Sequence, residues 1–109
     1  MIVVLFRWEI DPAHEKIFKE GWTELVQRNI EKYGALGSRL HKTKDNQWVS
    51  YSQWISEEHY QKAQNLEDKH EEARSKMLTA IISTATPLIL VPMLDHLIGT
   101  NIPTINKTV

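Results

Sequence analysis

Short apolar segments and amphipathic helical patterns alternate along residues 1–95 in the order strand, helix, strand, strand, helix, strand. This order predicts an α+β, ferredoxin-like β-α-β-β-α-β subunit, in which a four-stranded antiparallel sheet carries both helices on one face. The opposite face is then uncovered, although the predicted strands carry large apolar side chains on both sides. A second copy of the chain is the expected cover, so the sequence predicts a homodimer.

The first predicted strand and helix have clear boundaries. Residues 2–9 are rich in Val, Ile, Phe and Trp and are predicted to form a strand. Asp11 is a good N-cap, and Pro12 suits the first helical position, where its missing N–H is not needed. Gly34 is placed to end the helix in a left-handed conformation. Gly21, inside the helix, costs about 1 kcal/mol of helix propensity and is expected to allow close packing.

A β-hairpin is predicted for residues 36–44 and 47–55, with Asp45-Asn46 in the turn. Alternation along its second strand places four side chains on each face of the sheet. One face receives Trp48, Ser50, Ser52 and Trp54, and the other receives Val49, Tyr51, Gln53 and Ile55. Each face therefore has two large apolar side chains, which is not typical of a sheet face exposed to water.

The second helical region is predicted to begin after Ser56, to break near Asn65 and to continue to about Ile82. Pro87 ends any helix, and residues 88–93 are predicted to form the last strand. Pro92 removes a backbone donor and therefore indicates an edge position or a bulge.

The composition excludes several classes of protein. The 109 residues are enough for one domain, predicted as residues 1–98, with residues 99–109 as a tail that is loose or lies on a partner subunit. A net charge of -1 gives no basic surface for nucleic acid or an anionic membrane. The absence of cysteine excludes disulfides and thiolate catalysis. The apolar N-terminus lacks the features of a signal peptide, so a cytoplasmic protein is expected.

Four passages carry a family resemblance, and the one from the third strand into the second helix is the most diagnostic. They are residues 3–8 (VVLFRW), Asp11-Pro12, Tyr33-Gly34 and residues 53–58 (QWISEE). Through them the chain resembles the antibiotic biosynthesis monooxygenase family, a group of dimeric α/β barrels. The resemblance implies a homodimer with its sheets face to face and a pocket between sheet and helices for a flat, apolar substrate. It also implies oxidation without metal or flavin, in which the deprotonated substrate donates an electron to oxygen.

The expected function is therefore a small cofactor-independent monooxygenase acting on an aromatic or polycyclic small molecule. Because the family also includes haem-degrading enzymes and members without known activity, two alternatives stay open. One is a monooxygenase that binds or degrades haem through His70, and the other is a non-catalytic dimer that binds a hydrophobic small molecule. The resemblance to haem-degrading members has a departure: Arg7 and Trp8 stand on the first strand, where those enzymes use an Asn.

His70 is the candidate catalytic residue. It falls on the apolar line of the second predicted helical region, so it is expected to face the sheet. A neutral imidazole there could take a proton from a phenol near pH 7 or bind a haem iron. The competing interpretation is a core histidine bonded to a backbone carbonyl.

Five further residues are candidates for substrate binding: Arg7, Trp8, Asn29, Trp48 and Tyr60. The aromatic rings would line the pocket or belong to the core. The Asn29 amide would bind either a substrate oxygen or nearby backbone. Arg7 lies in an apolar strand and therefore needs a partner, either an oxyanion in the pocket or a carboxylate such as Glu9. Trp22 and Trp54 are expected to be structural. The scattered histidines predict no metal site.

Overall fold

The computed structural model describes residues 1–64 and 70–98. The elements are β1 (Ile2–Ile10), a 3₁₀ turn (Pro12–His14), α1 (Glu15–Lys32), β2 (Ala35–Lys42), β3 (Gln47–Trp54), α2 (Glu57–Gln64), α3 (Glu71–Ala80), β4 (Ile81–Thr84) and β5 (Leu88–Leu90). The strands form one antiparallel sheet in the order β2-β3-β1-β4, and β5 also pairs with β1. The predicted α+β, ferredoxin-like fold is confirmed.

The edge of the sheet beside β1 is built from two short strands, so the described sheet has five strands and not the predicted four. Trp8 pairs with Thr84 in β4, whereas Leu5 pairs with Leu88 in β5, and the register slips by one residue between them. Pro87 has no N–H to donate to the ladder, and it lies at this interruption. The two strands therefore take the place of one edge strand broken by a bulge.

The core lies between the sheet and the helices. Even-numbered residues of β1 and β3 face the helices and form two apolar clusters with them, whereas odd-numbered residues face the other side. Phe18 of α1 is fully buried between Trp8 and Trp48, with ring centroids 5.2 and 5.6 Å away. Edge-to-face contacts of this kind stabilise the core beyond the area they bury.

The predicted boundaries of the first helix and of the hairpin are confirmed in their main features. The Asp11 carboxylate accepts a hydrogen bond from the Ala13 N–H, and Pro12 begins a 3₁₀ turn that leads into α1. Gly34 follows α1 with a φ of 83°, which is the predicted left-handed ending. Asn46 occupies the hairpin turn with a φ of 63°.

The second half of the chain differs from the prediction at two places. His70 does not lie on a helix; it precedes α3 with a left-handed backbone, φ 47° and ψ 57°. The helix ends at Ala80, two residues before the predicted end, because Ile81 already pairs with Ile10 as the first residue of β4. The β-branched residues Ile81, Ile82 and Thr84 favour a strand, and this preference outweighs the helical pattern that continues to Ile82.

Two of the predicted features lie outside the described residues, and the last strand is shorter than predicted. The predicted break near Asn65 and the tail at residues 99–109 lie outside them. The last strand ends at Leu90 and therefore stops before Pro92. No helix within residues 1–64 and 70–98 is both long and apolar enough to cross a membrane.

Candidate functional site

A cavity of about 240 Å³ lies between the sheet and helices α1 and α3. Four aromatic side chains line it: Phe6 and Trp8 from β1, Trp22 from α1 and Trp54 from β3. Phe6 and Trp8 stack with an interplanar angle of 4° and ring centroids 5.7 Å apart. Met77, Leu25 and Val26 add an aliphatic wall from the helices. The lining is therefore suited to a flat, apolar ring system.

A row of serine hydroxyls crosses the sheet side of this cavity. Ser38 of β2 and Ser52 of β3 are register neighbours, and Ser38 Oγ donates to Ser52 Oγ at 2.8 Å. Ser52 Oγ lies 3.4 Å from Ser50 Oγ, and Ser50 Oγ accepts a hydrogen bond from Trp22 Nε1 at 3.1 Å. All four residues line the cavity. The row gives an otherwise apolar wall a continuous polar strip.

The lining includes buried polar atoms that have no hydrogen-bond partner among residues 1–64 and 70–98. Among them are the amide oxygen of Asn29 and the indole Nε1 of Trp54, an acceptor and a donor. A buried polar atom without a partner costs about 1–3 kcal/mol, so a water or a ligand in the cavity that satisfied these atoms would be stabilised there.

Two guanidinium groups also belong to the lining, those of Arg28 and Arg74. Arg28 is buried, donates to the Ala63 carbonyl at 3.1 Å and lies over the Tyr33 ring. Within the described part of the lining there is no His, Asp or Glu. The cavity therefore offers positive charge and hydroxyl groups but no described side chain of ordinary base strength.

The structure brings two of the predicted site residues, Trp8 and Asn29, into the cavity. Trp48, in contrast, is buried against Phe18, and the Lys42 ammonium lies 5.5 Å from the centroid of its ring. Trp48 also lines a second concavity, which lies at the edge strand β2.

Arg7 lies on the opposite face of the sheet from the cavity. Its guanidinium donates to the Thr86 carbonyl at 3.2 Å, and its own carbonyl accepts from the Ala85 N–H at 2.9 Å. These bonds hold the segment between β4 and β5 against β1. Arg7 therefore finds its partner in the backbone, and within the described residues it forms no ion pair with Glu9 or any other carboxylate.

Tyr60 and His70 also lie outside the described lining of the cavity. Tyr60 packs edge-on to Trp54 at 5.5 Å in the core, and burial raises the pKa of its hydroxyl. His70 is half-buried at the start of α3, where its carbonyl accepts the Arg74 N–H and its side chain forms no capping bond. The catalytic role of His70 stays a prediction.

Sequence reasoning missed Trp22, Trp54 and the three serines as site residues. The signal was present in the third strand, where Ser50 and Ser52 stand between Trp48 and Trp54 on the core-facing side. Small polar residues leave space and unsatisfied bonding capacity at positions where a filled core would have Leu or Val. Such a pair on an inward face is therefore typical of a cavity wall.

The described lining contains no histidine, so His70 does not stand there as the axial ligand that the haem alternative requires. Nor do the described residues contain a group of three or more His, Asp or Glu side chains placed to hold a metal ion.

The sequence model of the antibiotic biosynthesis monooxygenase family matches residues 1–74. The chain belongs to this family. Its fold agrees with that of SnoaB from Streptomyces nogalater, described as a cofactor-independent oxygenase, with a TM-score of 0.71 and 11% identity over 87% of this chain and 95% of SnoaB. Rv0793 from Mycobacterium tuberculosis gives a TM-score of 0.69 and 12% identity over 87% of this chain and 97% of that one.

No curated protein matches the sequence. At identities this low the structural likeness to SnoaB and Rv0793 shows the fold alone. Membership of the family supports a monooxygenase-like fold that binds small molecules, but it does not identify the substrate.

Proposed function

We propose that this protein is a cytoplasmic, cofactor-independent monooxygenase for a flat aromatic substrate that carries both a hydroxyl and a carbonyl group. The observation that carries the proposal is the aromatic cavity with an unpartnered acceptor on Asn29 and an unpartnered donor on Trp54. A substrate hydroxyl would donate to the Asn29 oxygen, and a substrate carbonyl would accept from the Trp54 indole. Hydroxylated anthrones have this combination of groups.

The proposed reaction converts the CH₂ group of an anthrone to a carbonyl and consumes one O₂. Loss of a proton gives an anion, which transfers one electron to O₂, and the two resulting radicals combine into a peroxide at that carbon. Protonation of the peroxide and loss of water leave the quinone, so that substrate and O₂ become quinone and H₂O. The protein stabilises the anion through the Arg28 and Arg74 charges and excludes bulk water with the aromatic walls.

The proposal is tested with 1,8-dihydroxyanthrone as the probe. Oxygen consumption and the absorbance of the quinone product are followed together, and one O₂ should be used for each quinone formed. Asn29→Leu, which removes the acceptor but keeps the number and branching of the side-chain heavy atoms, is expected to lower kcat/KM about tenfold, because the hydrogen bond from the substrate hydroxyl is lost. Gln27→Leu, on the exposed side of the same helix, serves as the control.

Three results separate the competing functions. Binding of the corresponding quinone with thermal stabilisation, but without turnover of the anthrone, would favour a non-catalytic binding protein. A Soret shift on addition of haem that is lost in His70→Ala would favour the haem alternative. Loss of anthrone turnover in His70→Ala, with the quinone still bound, would support the predicted role of His70 as the base.

We also propose that the active form is a homodimer joined through the sheet face opposite the helices. On this face Leu5, Val49 and Tyr51 are half-buried in the single chain, and Leu88 and Leu90 of the edge strand are 43% and 40% exposed. A second copy would cover this apolar surface, since its own sheet presents the same side chains.

A further inference from the structure

The serine row connects the cavity with a second concavity that faces solvent. Ser38 and Trp22 line both spaces. The second concavity lies at the edge strand β2, where Lys19, Arg39 and His41 are exposed. Ser50 and Ser52 are buried, and Ser38 is half-buried. The hydroxyl chain from Ser50 through Ser52 to Ser38 therefore runs from the buried wall of the cavity to the protein surface.

The proposed reaction begins with a proton transfer for which the described lining holds no base. The Arg28 and Arg74 guanidinium groups favour an anion, but they have no lone pair to accept a proton. An amide such as Asn29 is also too weak a base to hold one. A serine hydroxyl, in contrast, is both a donor and an acceptor, so it can receive one proton while it releases its own. A chain of such groups moves a proton without any member storing it.

We propose that Ser50, Ser52 and Ser38 form the proton path from the substrate to solvent, a step that rests on the proposed oxygenase function. A C–H bond of the substrate CH₂ group breaks as its proton goes to Ser50 Oγ, and the bonding electron pair stays on the substrate as its anion. The proton of Ser50 passes to Ser52 and that of Ser52 to Ser38. Ser38 then releases its proton to water in the second concavity. The substrate anion remains in the cavity, and each serine ends neutral.

Trp22 acts as a positioning residue for this path. Its Nε1–H donates to Ser50 Oγ and thereby occupies one of the two lone pairs of that oxygen. The other lone pair is left to accept the substrate proton, while the hydroxyl of Ser50 turns toward Ser52. The path needs reorientation of the serine hydroxyls only, because the oxygen atoms already stand in a row.

The test uses the intact protein, 1,8-dihydroxyanthrone as the substrate and 1,8-dihydroxyanthraquinone as a coloured ligand that is not turned over. Ser52→Ala interrupts the middle of the path, and Ser38→Ala interrupts its outer end. Ser52→Thr changes the side chain at position 52 but keeps a hydroxyl there. Ser83→Ala, an exposed serine of β4 that is not part of the described lining, is the control.

Ser52→Ala and Ser38→Ala are expected to lower kcat about tenfold or more while KM and the affinity for the quinone change less than about twofold. The solvent deuterium isotope effect on kcat should rise in both variants, since proton transfer becomes slower. Ser52→Thr should recover most of kcat. A purely structural role of Ser52 would change the affinity for the quinone together with kcat.

Two negative outcomes have different meanings. If the wild-type protein does not oxidise the anthrone, the proposed function fails and the proton path fails with it. If the wild-type protein is active and Ser52→Ala retains kcat within twofold, the proton path alone is overturned. Loss of kcat in His70→Ala together with a fully active Ser52→Ala would identify His70 as the base instead.

Discussion

Asp11 stands where β1 leads into the helical layer, and its carboxylate holds the first turn. The hydrogen bond from the Ala13 N–H lowers the pKa of Asp11, and His14, 3.1 Å away, contributes to the same effect. A carboxyl with a lowered pKa in the folded state stabilises the fold above its unfolded pKa. This contribution is lost as the pH falls through the folded pKa.

We therefore expect the acid sensitivity of the protein to decrease in Asp11→Asn. The amide keeps an acceptor for the Ala13 N–H but has no carboxyl to titrate, so its contribution stays constant with pH. The free energy of unfolding, measured with urea between about pH 5 and about pH 2, should fall less steeply in the variant than in the wild type. Asp45→Asn, in the exposed β2–β3 turn, should keep the wild-type slope; equal slopes for all three proteins would contradict the prediction.

At the scale of elements, the contact between α1 and α3 depends on Gly21. A β-carbon at position 21 would lie 2.5 Å from the Ala73 carbonyl oxygen and 2.9 Å from Met77 Cγ. The same pair of helices is joined by Lys76 and Glu24, and their hydrogen bond raises the pKa of Lys76. The predicted close packing at Gly21 is therefore confirmed.

Gly21→Ala should destabilise the protein although alanine is the better helix former. The substitution gains about 1 kcal/mol of helix propensity, but forcing the helices apart costs roughly 2–3 kcal/mol, the upper part of the overpacking range, because a backbone carbonyl cannot turn away. We expect the free energy of unfolding to fall by about 1–2 kcal/mol in urea unfolding. Gln27→Ala, on the exposed side of α1, should change it by less than about 0.5 kcal/mol. A more stable Gly21→Ala protein would show that α3 can shift.

Sequence patterns were sufficient to predict the helix and strand boundaries in the first half of the chain. β1, α1 and the hairpin were predicted within a few residues because capping, turn and periodicity signals agreed there. The region from α3 to β5 was predicted less well. Its short strands have few residues to establish a period, and the broken edge strand results from pairing with β1, which is distant in sequence.

At the scale of the whole molecule, substitutions on the apolar sheet face opposite the helices test the proposed dimer. Tyr51→Glu places a charge near the centre of this face, and Ile30→Glu places one on α1, where Ile30 is 47% exposed. By light scattering, the wild-type protein and Ile30→Glu should have twice the 12.7 kDa mass of one chain. Tyr51→Glu should raise the dimer dissociation constant at least about hundredfold, because an unpaired buried charge costs several kcal/mol.

Circular dichroism would verify that Tyr51→Glu retains the fold of the wild-type protein. A wild-type protein with the mass of one chain at micromolar concentration would overturn the dimer. If the Tyr51→Glu protein stays dimeric, the dimer interface does not lie on this face.

The amino-acid sequence by itself determined the order of elements, the face of each strand that packs on the helices and the family of the protein. These properties follow from local signals: side-chain periodicity, caps and turn residues. Only the tertiary structure decided which residues meet in the cavity. Trp22, Asn29 and Ser50 come from separate elements, and their grouping depends on how α1 crosses the sheet. His70 illustrates the limit. Its own backbone is left-handed at the start of α3, so it does not lie on the helical line on which the pattern placed it.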